Sequence, residues 1–254
     1  MNVVVCIKAV KSTLVFSESD YEEAYFFNPY DLKALEECIK MKDSQEMTIT
    51  CVLMGPKDTT SILEKCLAMG VDQAILLNDD CFAGSDTIAT SYILSKGIEN
   101  LGKCDMIVCG EKAIDGETGQ VVFGLGERLG IPVVTNVSEI ISVTEEQWSV
   151  CAKDHERVNK LMGKFPVVLA ISEFSTTYPK ISLLAMKRAK AKPLLAKDAC
   201  QIDADPEKCG MKGSRTRVVN MSRCFAERNQ EEIKGSTEEK VGFILKQLNA
   251  ERKI

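Results

Sequence analysis

The segment CDMIVCGEKAIDGETGQVVFGLGERLGIP, Cys104 to Pro132, constrains the fold of this chain more than any other. Its apolar start reads as a short strand reaching Gly110. A polar loop follows, and then a helix that starts near Gly119 and stops at the Gly130-Ile131-Pro132 breaker. A loop at the carboxyl end of a strand, feeding a helix N-terminus, is where open α/β sheets hold phosphorylated ligands. Within the loop, Asp115, Gly116, Glu117, Thr118, Gly119 and Gln120 form the sharpest local signal. The two glycines let backbone N–H groups approach an anion, and Thr118 adds a hydroxyl donor. Asp115 and Glu117 would repel a phosphate if they pointed inward, so they are expected to cap the turn or meet polar sugar groups. On composition alone, an ordinary strand-to-helix turn fits about as well.

The rest of the chain supplies the frame for such a loop. Residues 3–7, 48–54, 73–77, 105–109 and 133–137 read as short apolar strands. Residues 31–42, 59–69 and 86–99 between them carry helical periodicity; in the first of these, Leu32, Leu35 and Ile39 share a face behind an Asn28-Pro29 start. Strands alternating with helices predict a mostly parallel sheet covered on both sides. The pattern changes after about residue 140. Residues 147–151 alternate weakly, Trp148 reads as a packing residue on a hairpin, and 166–171 reads as a strand ending the sheet. Ser172 to Pro193 mixes turn signals with a basic helical patch at Met186–Lys192. Residues 216–220 suggest an edge strand. Ser236 and Glu239 form a capping box at the head of a last helix, whose stripe is Val241, Ile244, Leu245 and Leu248. That helix is too small to bury much alone, so it is expected to pack on this sheet or on a partner.

Composition narrows the function. Lys+Arg number 32 against Asp+Glu 37, a net charge of -5, which gives no electrostatic footprint for nucleic acid. No apolar run approaches a membrane span, and MNVVVCIKAV is too short and strand-like for a signal peptide, so a cytoplasmic location is expected. The 11 cysteines contain no CxxC and read as core thiols in a reducing compartment. His155, the sole histidine, sits in a charged run and reads as solvated, and no Ser-His-Asp or Cys-His set stands out. Neither GxGxxG nor GxxxxGK[ST] is present. The chain therefore reads as a cofactor holder without an evident side-chain catalytic group and without a metal site.

Other residues join the loop as candidates. Thr87 and Thr90, in Ser85-Asp86-Thr87-Ile88-Ala89-Thr90, lie three apart on one helix face. They fit cofactor hydrogen bonds, or a cap and its first turn. Ala9 follows the first strand and is small enough to admit a flat ring. Asn28 fits an adenine edge or a helix start.

Taken together, the opening strand with Lys8, NPYDLKALEE from Asn28, LAMGVD from Leu67, AIDGETGQ within CG…GERLGIP, KGSRTRVV from Lys212 and the last helix resemble the beta subunit of electron transfer flavoprotein, nearly end to end. The resemblance implies a Rossmann-like, adenine nucleotide alpha hydrolase-like sheet over residues 1–195, including a recognition loop. It also implies a C-terminal extension, 196–254, that packs on a partner subunit. It implies a heterodimer with an alpha subunit carrying a mobile flavin domain. In ordinary members the beta subunit buries AMP; in electron-bifurcating members it binds FAD, which accepts hydride from NADH. The SDTIATSY segment, Ser85 to Tyr92, resembles the bifurcating group. One electron would then go to ferredoxin or flavodoxin, and the other through the alpha-subunit FAD to an acyl-CoA or hydroxy-acid dehydrogenase.

By matching motifs, Ala9, Asn28, Thr87, Thr90, the loop Asp115–Gln120 and Val121 fall on nucleotide-binding positions, with Thr135 and Asn136 near the same ligand. Ile181, counted from Tyr178-Pro179, matches the hydrophobic anchor that docks the dehydrogenase. The chain departs from the family in KSTLVFSESDYEEAYFF, which lacks the usual proline–aspartate turn and is shorter, and in Thr177, where an arginine is usual. Two other readings stay open beside the bifurcating one: an AMP-binding, non-bifurcating beta subunit, and a stand-alone adenine-nucleotide-binding regulatory protein.

Overall fold

A computed structural model describes residues 1–11, 25–154, 156–176, 180–220 and 232–250 of the 254. The expectations at His155, Thr177 and Tyr178-Pro179, and most of the segment after Lys11, lie outside the described residues. The chain divides into two compact units, Met1–Arg217 and Val218–Ile254.

In the first unit the strands are β1 (Asn2–Ile7), β2 (Ala9–Lys11), β3 (Tyr25–Phe27), β4 (Thr48–Met54), β5 (Gln73–Leu77), β6 (Met106–Gly110), β7 (Val133–Val143), β8 (Gln147–Asp154), β9 (Arg157–Lys164), β10 (Val167–Ile171) and β11 (Leu195–Lys197). The helices are α1 (Pro29–Lys42), α2 (Thr60–Met69), α3 (Thr87–Glu99), α4 (Val121–Leu129), α5 (Leu183–Lys190) and the short α6 (Gly210–Gly213). Nine strands form one sheet in the order β11-β5-β4-β1-β6-β10-β7-β8-β9, and β2 pairs with β3 apart from it. From β11 through β7 the neighbours run parallel, and β8 and β9 extend the sheet antiparallel.

The centre of the sheet is buried because its strands β1, β4, β6 and β10 are apolar on both faces. Val3, Val5 and Ile7 of β1, with Met106, Val108, Val167, Leu169 and Ile171, join one core with Leu32, Leu35, Ile62 and Leu63 of α1 and α2. Val4, Cys6, Ile107, Cys109, Val168 and Ala170 join a second core with Ile93, Ile98, Val122 and Leu125 of α3 and α4. This period of two, apolar at every position, is the mark of a parallel sheet under two helical layers. The α/β class expected from the alternation is the one observed. The 10 described cysteines are free thiols, and Cys6, Cys38, Cys51, Cys66, Cys109 and Cys209 lie in the core.

Local expectations meet the structure unevenly. Residues 48–54 and 73–77 are strands as read. The strand read at 133–137 runs on to Val143, because it turns into the first strand of a meander with β8 and β9. Trp148 packs on that hairpin, its indole N–H donating to the Lys164 carbonyl at 3.0 Å. The strand at 166–171 does not end the sheet. As β10 it enters the interior, between β6 and β7, and β11 later adds an edge beside β5. Residues 216–220 form no strand; their backbone is held locally, at Thr216, by a side-chain carboxylate rather than by a sheet edge.

In the second unit, α7 (Thr237–Ala250) begins with the expected capping box: the Ser236 N–H donates to Glu239 Oε2 at 2.7 Å and the Glu239 N–H to Ser236 Oγ at 3.3 Å. Val241, Ile244 and Leu245 on its stripe are about half exposed within the chain. Among the described residues, no helix is long and apolar enough to cross a membrane.

Candidate nucleotide site

Strand order locates the site. The chain builds from β1 outward to β4 and β5, then crosses back to place β6 on the other side of β1. Neighbouring connections leave a crevice at such a reversal, at the carboxyl ends of the strands. A cavity of about 320 Å³ opens there, lined by Cys6, Ile7 and Lys8 at the end of β1 and by Cys109, Gly110 and Glu111 at the end of β6. Its size lies at the small end of the range for small-molecule sites.

The loops around the crevice are tied by Asp31, in the first turn of α1. Its carboxylate accepts the Lys8 N–H at 2.8 Å and the Gly110 N–H at 3.0 Å, so it joins the ends of β1 and β6. Burial pushes this carboxyl up to about 7, against the lowering pull of those amides and of the Asn28 side chain. Asn28 is itself buried. Its Nδ2 donates to the Lys112 carbonyl at 2.9 Å and its Oδ1 accepts from the Ile114 N–H at 3.3 Å. Asn28 thus pins the 112–114 loop rather than presenting a free amide edge.

Two helix N-termini face the cavity, and they differ. At α3, Asp86 is the N-cap, and its Oδ1 accepts the N–H groups of Ile88 and Ala89 at 2.9 and 3.0 Å. At α4, which runs from Val121, two residues past Gly119, Gln120 occupies the N-cap position with no side-chain hydrogen bond to the first turn. The positive end of α4 is therefore the one open to an anion. Arg128 of α4 holds the two helices together, donating to Ser91 Oγ at 3.2 Å and to the Ile88 carbonyl at 3.1 Å.

Thr87 and Thr90 line the cavity on α3. Ser91 and Ser95 on the same helix bond back to carbonyls one turn earlier. Among the described residues, the hydroxyls of Thr87 and Thr90 have no hydrogen-bond partner. Gly116, Glu117, Thr118, Gly119, Gln120 and Val121 line the opposite wall, with Gly119 at φ +63. The loop's acids are turned to lysines: Asp115 pairs with Lys8 at 2.7 Å and Glu117 with Lys112 at 3.7 Å.

The cavity thus brings together Asn28, Thr87, Thr90 and residues 116–121 from distant parts of the chain. Asp115, Ala9, Thr135 and Asn136 do not line it. Ala9 pairs with Phe27 across β2 and β3. Thr135 and Asn136 form a bulge on β7, where the register against β10 shifts and Asn136 takes φ +56. Ile181 lies half-buried before α5, whereas Leu183 at the head of that helix is 90% exposed.

The sequence reading missed Asp31 and Asp86 as a tether. Asp86 Oδ2 accepts the N–H groups of Arg215 and Thr216 at 2.7 and 3.0 Å, and the Thr216 hydroxyl at 3.2 Å. Although burial works the other way, the amides of Ala89, Thr216, Arg215 and Ile88 hold this carboxyl below its usual range. The stabilisation is complete above the ordinary carboxylate range and is lost as pH falls through the lowered folded value. Asp86→Ala removes a helix cap and this tether together, and is expected to cost about 2 kcal/mol or more. Hydrogen exchange checks the mechanism: the Arg215 and Thr216 amides lose protection in the variant, and unchanged protection there refutes the tether.

This is a three-layer α/β protein with a nucleotide-sized crevice at the switch point of a parallel sheet. A family model, the electron transfer flavoprotein domain, matches residues 13–160. An electron transfer flavoprotein subunit beta from Clostridium acetobutylicum is 34% identical over 263 aligned positions, covering 100% of both chains. Another, from Thermoanaerobacterium thermosaccharolyticum, is 37% identical over 231, covering 89% of this chain and 87% of the relative. The caffeyl-CoA reductase-Etf complex subunit CarD of Acetobacterium woodii is 33% identical over 219, covering 86% and 83%. The chain belongs to the electron transfer flavoprotein family, on the side of its beta subunits.

Proposed function

We propose that this beta subunit holds FAD in the crevice and serves flavin-based electron bifurcation. The observation that carries this reading is the pair of unpartnered hydroxyls, Thr87 and Thr90, facing an uncapped helix N-terminus across one cavity. A single phosphate is served by the α4 terminus and the Thr118–Gly119 bend alone. A second set of donors on the facing helix suits a diphosphate, and hence a dinucleotide rather than AMP.

FAD held there would supply the redox chemistry of hydride and single-electron transfer. The chain's own residues bind and orient. The first-turn amides of α4 and the Thr118–Gly119 bend meet phosphate, Thr87 and Thr90 donate from α3, and the Asp31 and Asn28 bonds keep the walls in register. Lys8 and Lys112 neutralise the acids of the loop, so the wall facing an anionic ligand carries no uncompensated Asp115 or Glu117 charge.

The family resemblance supports the following partners as part of this proposal. An alpha subunit completes the complex, and the half-exposed stripe of α7 in the extension meets it. Ferredoxin or flavodoxin takes the low-potential electron in the cytoplasm. A dehydrogenase acting on an acyl-CoA or hydroxy acid takes the other through the alpha-subunit FAD. The name of the Acetobacterium woodii relative, a subunit of a caffeyl-CoA reductase complex, supports the acyl-CoA choice. The apolar segment at Ile181 and the exposed Leu183 is the docking anchor.

Extraction of the purified heterodimer tests the ligand. Two FAD per heterodimer is the expected result; one FAD with one AMP means a single-flavin carrier with a structural nucleotide. In a Thr87→Val, Thr90→Val variant, affinity for FAD falls roughly tenfold per hydroxyl while affinity for AMP changes little. Equal losses for the two ligands would show that the threonines do not read a second phosphate.

A further inference from the structure

The crevice wall that leads into α3 is held from behind by a strap that comes much later in the chain. Ser85, Asp86 and Thr87 line the cavity, whereas residues 209–216 do not. That later segment nevertheless bonds the loop at successive positions. The Met211 N–H donates to the Ala83 carbonyl at 3.2 Å and the Gly210 N–H to Ser85 Oγ at 3.1 Å. Gly210, at φ +53, lets the two backbones meet: a Cβ there would lie 2.2 Å from the Cys81 carbonyl oxygen and 2.7 Å from that of Ala83. The Arg215 and Thr216 amides then close the strap on Asp86 Oδ2.

Ser214 is the centre of this interlock. Its hydroxyl accepts the Asp86 N–H at 2.8 Å, and its own hydrogen is within reach of the Gly210 carbonyl at 2.7 Å and the Gly84 carbonyl at 3.2 Å. The Thr90 N–H in turn donates to the Asp86 carbonyl at 2.8 Å. One hydroxyl, 128 positions away, therefore fixes the residue on which the Thr87–Thr90 face of α3 is built. Without it the part-buried Asp86 amide has no acceptor, and the loop is free to open. We infer that Ser214 is a positioning residue for the crevice: it does not line the cavity, and it sets Thr87 and Thr90 against a bound nucleotide by way of Asp86. This rests on the nucleotide reading of the crevice. Linkage makes the effect reciprocal, so the affinity lost when the strap opens equals the stability that a bound nucleotide lends the strap.

The test uses the heterodimer freed of its beta-bound nucleotide and titrated with FAD and, separately, with AMP. Hydrogen exchange is read at the Asp86, Arg215 and Thr216 amides. In wild type, bound nucleotide slows exchange there about fivefold or more beyond any slowing at β9, on the far edge of the sheet. Ser214→Ala weakens nucleotide binding by about the same factor, as for one lost hydrogen bond. Ser214→Thr, which keeps the hydroxyl, restores most of the affinity, and thermal melts confirm that both variants fold. A folded Ser214→Ala protein with wild-type affinity overturns the inference while nucleotide binding stands. So does a wild-type strap that exchanges equally with and without nucleotide, a comparison that needs no variant. If neither FAD nor AMP binds in the beta subunit, the crevice reading fails and takes this inference with it.

Discussion

Gly110→Ala is expected to destabilise the protein by about 3 kcal/mol and, on the proposed function, to lower the nucleotide it retains. Gly110 ends β6 under the first turn of α1. A Cβ there would lie 2.6 Å from Tyr30 Cβ and 2.8 Å from the Asp31 backbone nitrogen, and it would also strike Asp31 Oδ1. Tyr30 Cβ and the Asp31 nitrogen are not the far ends of flexible side chains, and Asp31 Oδ1 is held by the Gly110 N–H, so the helix or the strand end must shift as a body. Either shift breaks the Gly110 N–H bond to Asp31 and separates the two strand ends that frame the cavity. Gly116→Ala in the same loop is the control. Nothing lies within 4 Å of its added methyl and its φ is unexceptional, so stability should be unchanged. Denaturant midpoints and nucleotide retained per heterodimer check both. A Gly110→Ala protein as stable as the Gly116→Ala control would refute the close approach.

Asp31 gives the largest pH effect. Its folded carboxyl titrates at about 7 against an ordinary value of 3.8, so between those values the folded state holds a proton that the unfolded chain has released. Stability therefore falls as pH rises through this window, and above about 7 the full cost of burying the charge is borne, of the order of a few kcal/mol. Asp31→Asn cannot ionise, but its single oxygen cannot accept both the Lys8 and Gly110 N–H groups. The variant is thus less stable than wild type at pH 5, by about 1–3 kcal/mol for the amide left unbonded. The gap narrows or reverses by pH 8. Urea unfolding at the two pH values measures it, and parallel wild-type and variant stabilities would assign the pH dependence to other groups.

How far the sequence alone reached follows from what local patterns encode. Apolar runs flanked by breakers located β4 and β5, the Gly130-Ile131-Pro132 stop closed α4, and Ser236 with Glu239 marked the start of α7. Each of these signals is complete within a few residues. The three-residue strands β2, β3 and β11 are too short to show a period, and residues 216–220 looked like a strand because Val218 and Val219 favour one, although they pair with no strand among the described residues. The placement of β10 is a matter of topology, which no window of residues contains. The crevice was legible where backbone chemistry builds it, at Thr118 and Gly119 and at the paired threonines of α3. Asp31 and Asp86 were not, because each owes its role to partners far along the chain: Lys8 and Gly110, Arg215 and Thr216.

The late insertion of β10 also bears on how the molecule is made. While a growing chain ends short of Ile171, the meander of β7, β8 and β9 has no bonded neighbour on the β6 side, since β10 alone bridges β6 to β7. Until that five-residue strand is available, the facing edges of β6 and β7 lack their native partner. Ribosome-bound fragments ending before and after this strand should differ sharply in protease resistance.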